Sequence, residues 1–166
     1  MKSMIYQYKN IPTLVLGYNR PDKIKKVIKK LLVLEIQNLY FVIDGPKNSE
    51  DKIKISKIAE QIKKIPKNYK VKTLFRKKNL GCALSVSNGI TWFFENNKFG
   101  IILEDDCLPT LNFFNFCDFI SKKYHKNKSI FGISGTNFIP NKLKIFDRES
   151  DYYISKYIHV WGWATW

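Results

Sequence analysis

Short unbroken apolar runs alternate along this chain with longer stretches in which apolar residues recur every three or four positions. The runs, at residues 11–18, 39–43, 71–75, 99–103 and 129–134, are rich in β-branched and aromatic residues and read as strands. After the first, Asn19-Arg20-Pro21-Asp22 opens a helix. Pro21 suits the first helical position, and Asp22 complements the helix dipole. Ile24, Val27, Ile28, Leu31 and Leu32 form its apolar stripe, with Lys23, Lys25, Lys26, Lys29 and Lys30 opposite. Asn48 or Ser49 caps a second helix striped by Ile55, Ile58, Ala59 and Ile62. A polar loop, Arg76-Lys77-Lys78-Asn79, leads through Gly81 into a third helix over residues 83–95. A fourth starts at Pro109-Thr110 and turns Phe113, Phe114, Cys117 and Ile120 inward. Residues 147–151 read as a charged loop and 152–158 as one more strand.

Continuous apolar strands alternating with helices predict an α/β fold, a mostly parallel sheet with helices on both faces. No internal repeat or linker divides it, so residues 1–166 read as a single domain. In such sheets ligands bind beyond the carboxyl ends of the strands. Arg20, Asp44-Gly45, residues 76–81 and Glu104-Asp105-Asp106 all occupy such ends and are expected to share one rim.

Composition narrows the classes. At 45% hydrophobic residues the chain can bury a core, which argues against disorder. No segment has the length and apolarity of a bilayer span, and the first ten residues lack a signal peptide's apolar stretch. The default expectation is therefore a cytoplasmic protein. Cys82, Cys107 and Cys117 have no paired spacing and read as reduced, packed thiols rather than a disulfide framework or zinc site. The net charge of +15 is almost all lysine, with arginines only at positions 20, 76 and 148. The lysines fall mainly on outer helix faces, so the charge reads first as solvated surface. Peripheral contact with the inner face of an anionic membrane is second, and no nucleic-acid partner is expected.

The sharpest chemical signal is Glu104-Asp105-Asp106, directly after the fourth apolar run. Three adjacent carboxylates repel one another, and beside a buried strand they need a compensating cation. No basic residue lies within ten positions on the C-terminal side, and Lys98 is the nearest before it. A bound Mg²⁺ or Mn²⁺ satisfies that need with oxygen ligands. Alternation along an extended segment would turn Glu104 and Asp106 one way and Asp105 the other.

The stretch Ile101-Ile102-Leu103-Glu104-Asp105-Asp106-Cys107-Leu108-Pro109, with Phe113-Phe114-Asn115-Phe116 behind it, resembles the Glu-Asp-Asp form of the Asp-x-Asp motif in GT-A glycosyltransferases. Residues 11–20, Asp44-Gly45, Asn79-Leu80-Gly81 and the terminal Trp161–Trp166 segment match in the same order. The likeness is to bacterial family-2-like sugar transferases and, more distantly, to the N-acetylglucosaminyltransferase that starts hybrid N-glycans. The resemblance implies a GT-A fold of the nucleotide-diphospho-sugar transferase type. It further implies transfer of a sugar from a nucleoside diphosphate, typically UDP, to an acceptor hydroxyl on a glycan or another molecule.

By the same resemblance, Asp106 would ligate the metal, and Glu104 and Asp105 would contact donor sugar and ribose. Arg20 would meet the phosphates or ribose, and Asp44 the base. Asn79 and Gly81 would shape the loop beneath the nucleotide. Trp161, Gly162 and Trp163 would wall the site near sugar and acceptor. Ser134-Gly135-Thr136-Asn137 is left open between loop and acceptor contact. Inverting relatives place a carboxylate base beyond the Trp-rich stretch, so the catalytic base is not identified and the chain reads as truncated at its C-terminus. Asp147, Glu149 and Asp151 carry no pattern that marks one as the base. Three alternatives stand beside this reading: an inactive donor-binding fragment, a basic binding module, and a Mg²⁺-dependent nucleotidyltransferase. The single glycine in Gly17-Tyr18-Asn19-Arg20-Pro21 argues against the last.

Overall fold

The computed structural model describes residues 7–138 and 151–166. Six strands form one mixed sheet in the order β3-β2-β1-β4-β6-β5. They are β1 (Thr13–Gly17), β2 (Asn38–Ile43), β3 (Lys70–Phe75), β4 (Gly100–Glu104), β5 (Gly132–Ser134) and β6 (Trp163–Thr165). The helices are α1 (Pro21–Val33), α2 (Ser49–Lys63), α3 (Gly81–Phe94) and α4 (Leu111–Tyr124), after a short 3-10 turn at Gln7–Asn10. β1 pairs in parallel with β2 and β4, and β2 with β3. β6 runs antiparallel to both its neighbours.

Side-chain alternation along the strands sorts the core into two layers. Val15, Phe41, Ile43, Ile101 and Leu103 pack with Ile24, Val27 and Leu31 of α1, Ile58 and Ile62 of α2, and Phe114 and Cys117 of α4. Leu14, Leu16, Tyr40, Val42 and Ile102 point the other way, onto Phe93, Val86 and Ile90 of α3. Three helices therefore cover one face and one covers the other. α3 can lie close because Gly89 carries no side chain: a Cβ there would stand 3.0 Å from Val42 Cγ1 and 3.2 Å from Leu16 Cδ2.

Local signals explain the helix starts. Pro21 occupies the first turn of α1. Asn48 caps α2 by accepting from Asp51 N at 2.9 Å, and Thr110 Oγ1 caps α4 by accepting from Phe113 N at 3.2 Å. The α1 lysines 23, 25, 26 and 29 are exposed, the solvated face that the sequence suggests. Cys117 is buried and Cys107 half-buried, whereas Cys82 is exposed rather than packed. Among the described residues no helix is long and apolar enough to cross a membrane.

The C-terminal third departs from expectation. Residues 152–158 form no strand; they run as irregular chain. The sixth strand is Trp163–Thr165, which inserts between β4 and β5 through the pairs Ile102–Trp163 and Ile133–Ala164. A three-residue strand is too short for alternation to announce it. Its existence depends on two long-range ladders that supply the hydrogen bonds. β5 is likewise shorter than its apolar run, keeping only Gly132–Ser134.

Candidate functional site

The strand order sets β1 and β4 side by side, with Leu16 of β1 paired to Glu104 of β4. Residues just past these two ends meet. Arg20 Nε donates to Asp105 Oδ2 at 3.0 Å, its Nη2 donates to Asp105 Oδ1, and its Nη1 reaches Asp106 Oδ2 at 3.2 Å. The fork-to-carboxylate geometry is bidentate on Asp105, which is only 2% exposed. The compensating cation for much of the triad is thus a side chain some eighty-five positions away in sequence. Along the chain that cation is sought near the triad or in a bound ion, because sequence distance does not see β1 lying against β4.

Some negative charge remains uncompensated. Three carboxylates face one guanidinium, with Lys23 acting on Asp105 from farther off. Burial lifts the Glu104 carboxyl above its ordinary range; Asp106 and then Asp105 lift it further, and Arg20 only partly offsets them. Burial likewise raises Asp105 against the pull of Arg20. Among the described residues the Glu104 carboxylate has no hydrogen-bond or ion-pair partner. A hydrogen bond from Cys107 N to Glu104 O at 3.1 Å closes the backbone here into a turn. Glu104 and Asp106 nevertheless line one cavity, and Asp105 is turned away to Arg20. Asp105, which the resemblance would set against the donor, is held by Arg20.

That cavity measures about 570 Å³ and lies between the triad turn, the start of α4 and the Trp161-Gly162 segment. Trp161 is 63% exposed along it. Gly162 has φ +74°, a left-handed conformation that glycine adopts without strain, and its carbonyl accepts from Gly135 N at 2.9 Å. Trp163 points to the opposite side of the sheet and packs on the α3 layer, so the tryptophan pair divides between site and core. Phe113, Thr110, Gly135 and Thr136 complete the wall. Gly135 and Thr136 belong to the segment left open between loop and acceptor contact, whereas the pattern along the chain marks Thr110 and Phe113 only as helix residues. The capping pattern of Thr110 was readable, but its position beside the triad was not.

Asp44 is buried and its oxygens already serve its own chain. They accept from Gly45 N at 2.9 Å, Asn79 Nδ2 at 2.9 Å, Leu80 N at 3.0 Å and Gly81 N at 3.2 Å. Asp44 therefore fastens the beginning of α3 to the end of β2. Asn79 also donates to Gly45 O at 2.9 Å, and Gly81 takes the left-handed turn, at φ +77°. A second clasp was not foreseen. Asp51, buried in the first turn of α2, accepts from Tyr18, from Asn19 Nδ2 at 2.6 Å and from Lys47 N at 2.9 Å. Those bonds, Tyr18 first and Asn19 next, hold its carboxyl down at about 2. They brace the loop that presents Arg20.

A hard divalent ion fits this donor set in a limited way. Glu104 and Asp106 offer carboxylate oxygens to one cavity, but among the described residues no cluster of three or more His, Cys, Asp or Glu is arranged as a metal cage. Mg²⁺ characteristically uses one or two carboxylates and fills its remaining positions with water and phosphate oxygens, so two facing carboxylates are sufficient when phosphates contribute. Asp147 and Glu149 lie outside the described residues, while Asp151 lines a neighbouring cavity. No protein-family model and no curated protein matches this chain.

Proposed function

We propose that this chain is the donor-binding domain of a metal-dependent glycosyltransferase, taking a nucleoside-diphosphate sugar, with UDP the preferred nucleotide. The observation that carries the reading is the shared cavity of Glu104, Asp106, Trp161 and Gly162, with a net excess of carboxylate on one wall and an open indole on another. The mixed α/β sheet is compatible with the GT-A architecture that the sequence resembles.

In this reading Asp106 and Glu104 hold Mn²⁺ or Mg²⁺ from the protein side. When bound, the ion supplies Lewis-acid neutralisation of charge on the departing diphosphate. Arg20 fixes Asp105 and one oxygen of Asp106, which keeps the turn in one geometry before the donor arrives. The exposed indole of Trp161 offers a flat apolar face to a pyranose ring. Asp44, Asn79 and Gly81 act by shaping the loop ahead of α3, and Asp51 by bracing residues 18–19. No group is assigned as the acceptor's base.

Calorimetry of the chain with UDP, with and without Mn²⁺, tests the reading. The expected result is binding that needs the metal and is lost in Asp106→Ala, with Glu104→Gln weakened. Binding that ignores Mn²⁺, or an Asp106→Ala chain indistinguishable from the parent, would sink it. Salt-sensitive binding without any role for Asp106 would mark a basic module instead.

A further inference from the structure

The lysines of this chain are not spread evenly over its helices. α1 and α2 hold nine between them, whereas α3 holds no charged residue from Gly81 to Phe94. α3 nevertheless has an open side, on which Ala83, Leu84, Ser87 and Asn88 are exposed. A lysine bias acting through composition alone would place charge there as well. α1 and α2 lie side by side and sink their apolar stripes into the same core layer, so their outer faces point the same way. α4 packs on that layer too, and α3 covers the opposite face of the sheet. Every lysine carried by an α-helix therefore stands on one side of the sheet.

On α1 the lysines lie opposite the buried stripe. Lys25, Lys26 and Lys29 are exposed, and among the described residues none of them has an ion-pair partner. The exposed carboxylates of the two helices are Asp22, Glu50 and Glu60, and Glu50 is already paired with Lys54 at 2.7 Å. Outside the described residues, Lys2, Lys142, Lys144 and Arg148 stand against Asp147 and Glu149, so the balance stays basic. Two apolar side chains lie open among these lysines. Val33, at the end of α1, is 68% exposed, and Ile53, between Lys52 and Lys54 on α2, is 60% exposed. By i, i+4 spacing Val33 shares a face with Lys29, and Ile53 with Lys57.

The chemistry of this face selects its partner. α1 and α2 contain no aromatic residue on which a base could stack and no arginine to grip a base edge. Lysine ammonium groups act as point charges and suit a diffuse anionic plane. Exposed aliphatic side chains have no role against a phosphate backbone, but they suit the boundary between lipid headgroups and acyl chains. We infer that the outer face of α1 and α2 docks on an anionic phospholipid surface, with Lys25, Lys26 and Lys29 against the headgroups and Val33 and Ile53 entering the interface. α1 begins directly after Arg20, so this face starts at the rim that carries the triad.

The test is co-sedimentation of the full chain with phosphatidylcholine vesicles containing a rising fraction of phosphatidylglycerol. Binding is expected to need the anionic lipid and to weaken as salt rises. Each lysine at the lipid is expected to contribute about fivefold, so Lys25→Gln, Lys26→Gln and Lys29→Gln together weaken binding on the order of a hundredfold. Glutamine matches lysine in helix propensity, so α1 is kept. Lys98→Gln, Lys126→Gln and Lys128→Gln together remove the same charge from exposed positions off α1 and α2, and are expected to change binding little. Val33→Ser with Ile53→Ser is expected to lower the binding that survives high salt. Equal losses in the two lysine triples would make the effect one of net charge and overturn the inference. So would binding that ignores phosphatidylglycerol, or a Val33→Ser, Ile53→Ser chain that matches the parent at high salt. A preference for a duplex oligonucleotide over the vesicles at matched phosphate would overturn it in favour of nucleic acid.

Discussion

Replacing Arg20 with alanine isolates the contact that organises the triad. The substitution removes two hydrogen bonds to Asp105, a carboxylate 2% exposed, and one to Asp106. Breaking a buried ion pair from one side costs on the order of 3–5 kcal/mol, because the surviving charge stays buried without a partner. Arg20 itself is half exposed, with 50% of its side chain accessible, so water takes over part of its work in the variant. The expected loss is therefore about 2–3 kcal/mol. For a chain of this size that corresponds to a fall in Tm of roughly 5–10 °C. The assay is thermal and urea unfolding of the parent, Arg20→Ala, Asp105→Asn and the double variant, in chelator-containing buffer so that no ion substitutes for the guanidinium. Asp105→Asn alone is expected to cost about 1 kcal/mol, since the amide keeps one acceptor for Arg20. In the double variant the buried group is neutral, so its loss is expected to fall short of the two single losses combined by about 1–2 kcal/mol. Losses that add to within about 0.5 kcal/mol would refute the claim that Arg20 stabilises the fold through Asp105.

Three further outcomes follow from particular residues. Gly81→Ala and Gly162→Ala place a side chain at φ +77° and +74°, where the added Cβ meets nothing closer than 3.6 Å, so the cost is backbone strain of about 1–2 kcal/mol each, read by urea denaturation. Phe93→Ala empties a fully buried site where the ring makes edge contacts with Tyr40 and Phe94 at 5.0 Å; a loss of about 3–5 kcal/mol in the same assay is expected. The Asp51 carboxyl lies at about 2 when folded against an ordinary 3.8, so its contribution is present above the ordinary value and is lost as pH falls through the folded one. Parent Tm is expected to drop between about pH 4 and pH 2, and Asp51→Asn to show a shallower slope over that window; equal slopes would remove Asp51 from the acid response.

Legibility differed by region for a physical reason. α1 was readable because Pro21, Asp22 and the Ile24–Leu31 stripe all act within a few residues of one another. β1, β2 and β4 were readable because strands buried on both faces must be apolar throughout. β6 was not, since a three-residue strand has no rhythm of its own and exists through Ile102 and Ile133 on other strands. Asp44 shows the same limit: the residue was visible as a polar group at a strand end, but its engagement with Asn79, Leu80 and Gly81 was not.

The Glu104-Asp105-Asp106 triad divides along the same line. That three carboxylates follow a buried strand, and that their repulsion must be compensated, is legible along the chain, because both statements concern neighbours in it. How the compensation is shared depends on the packing of the strands. β1 and β4 lie side by side, so Arg20 takes Asp105 and part of Asp106, while Glu104 and Asp106 are left facing a cavity with Trp161. Charge falls off over ångströms in space, and no local pattern records that residue 20 ends beside residue 105.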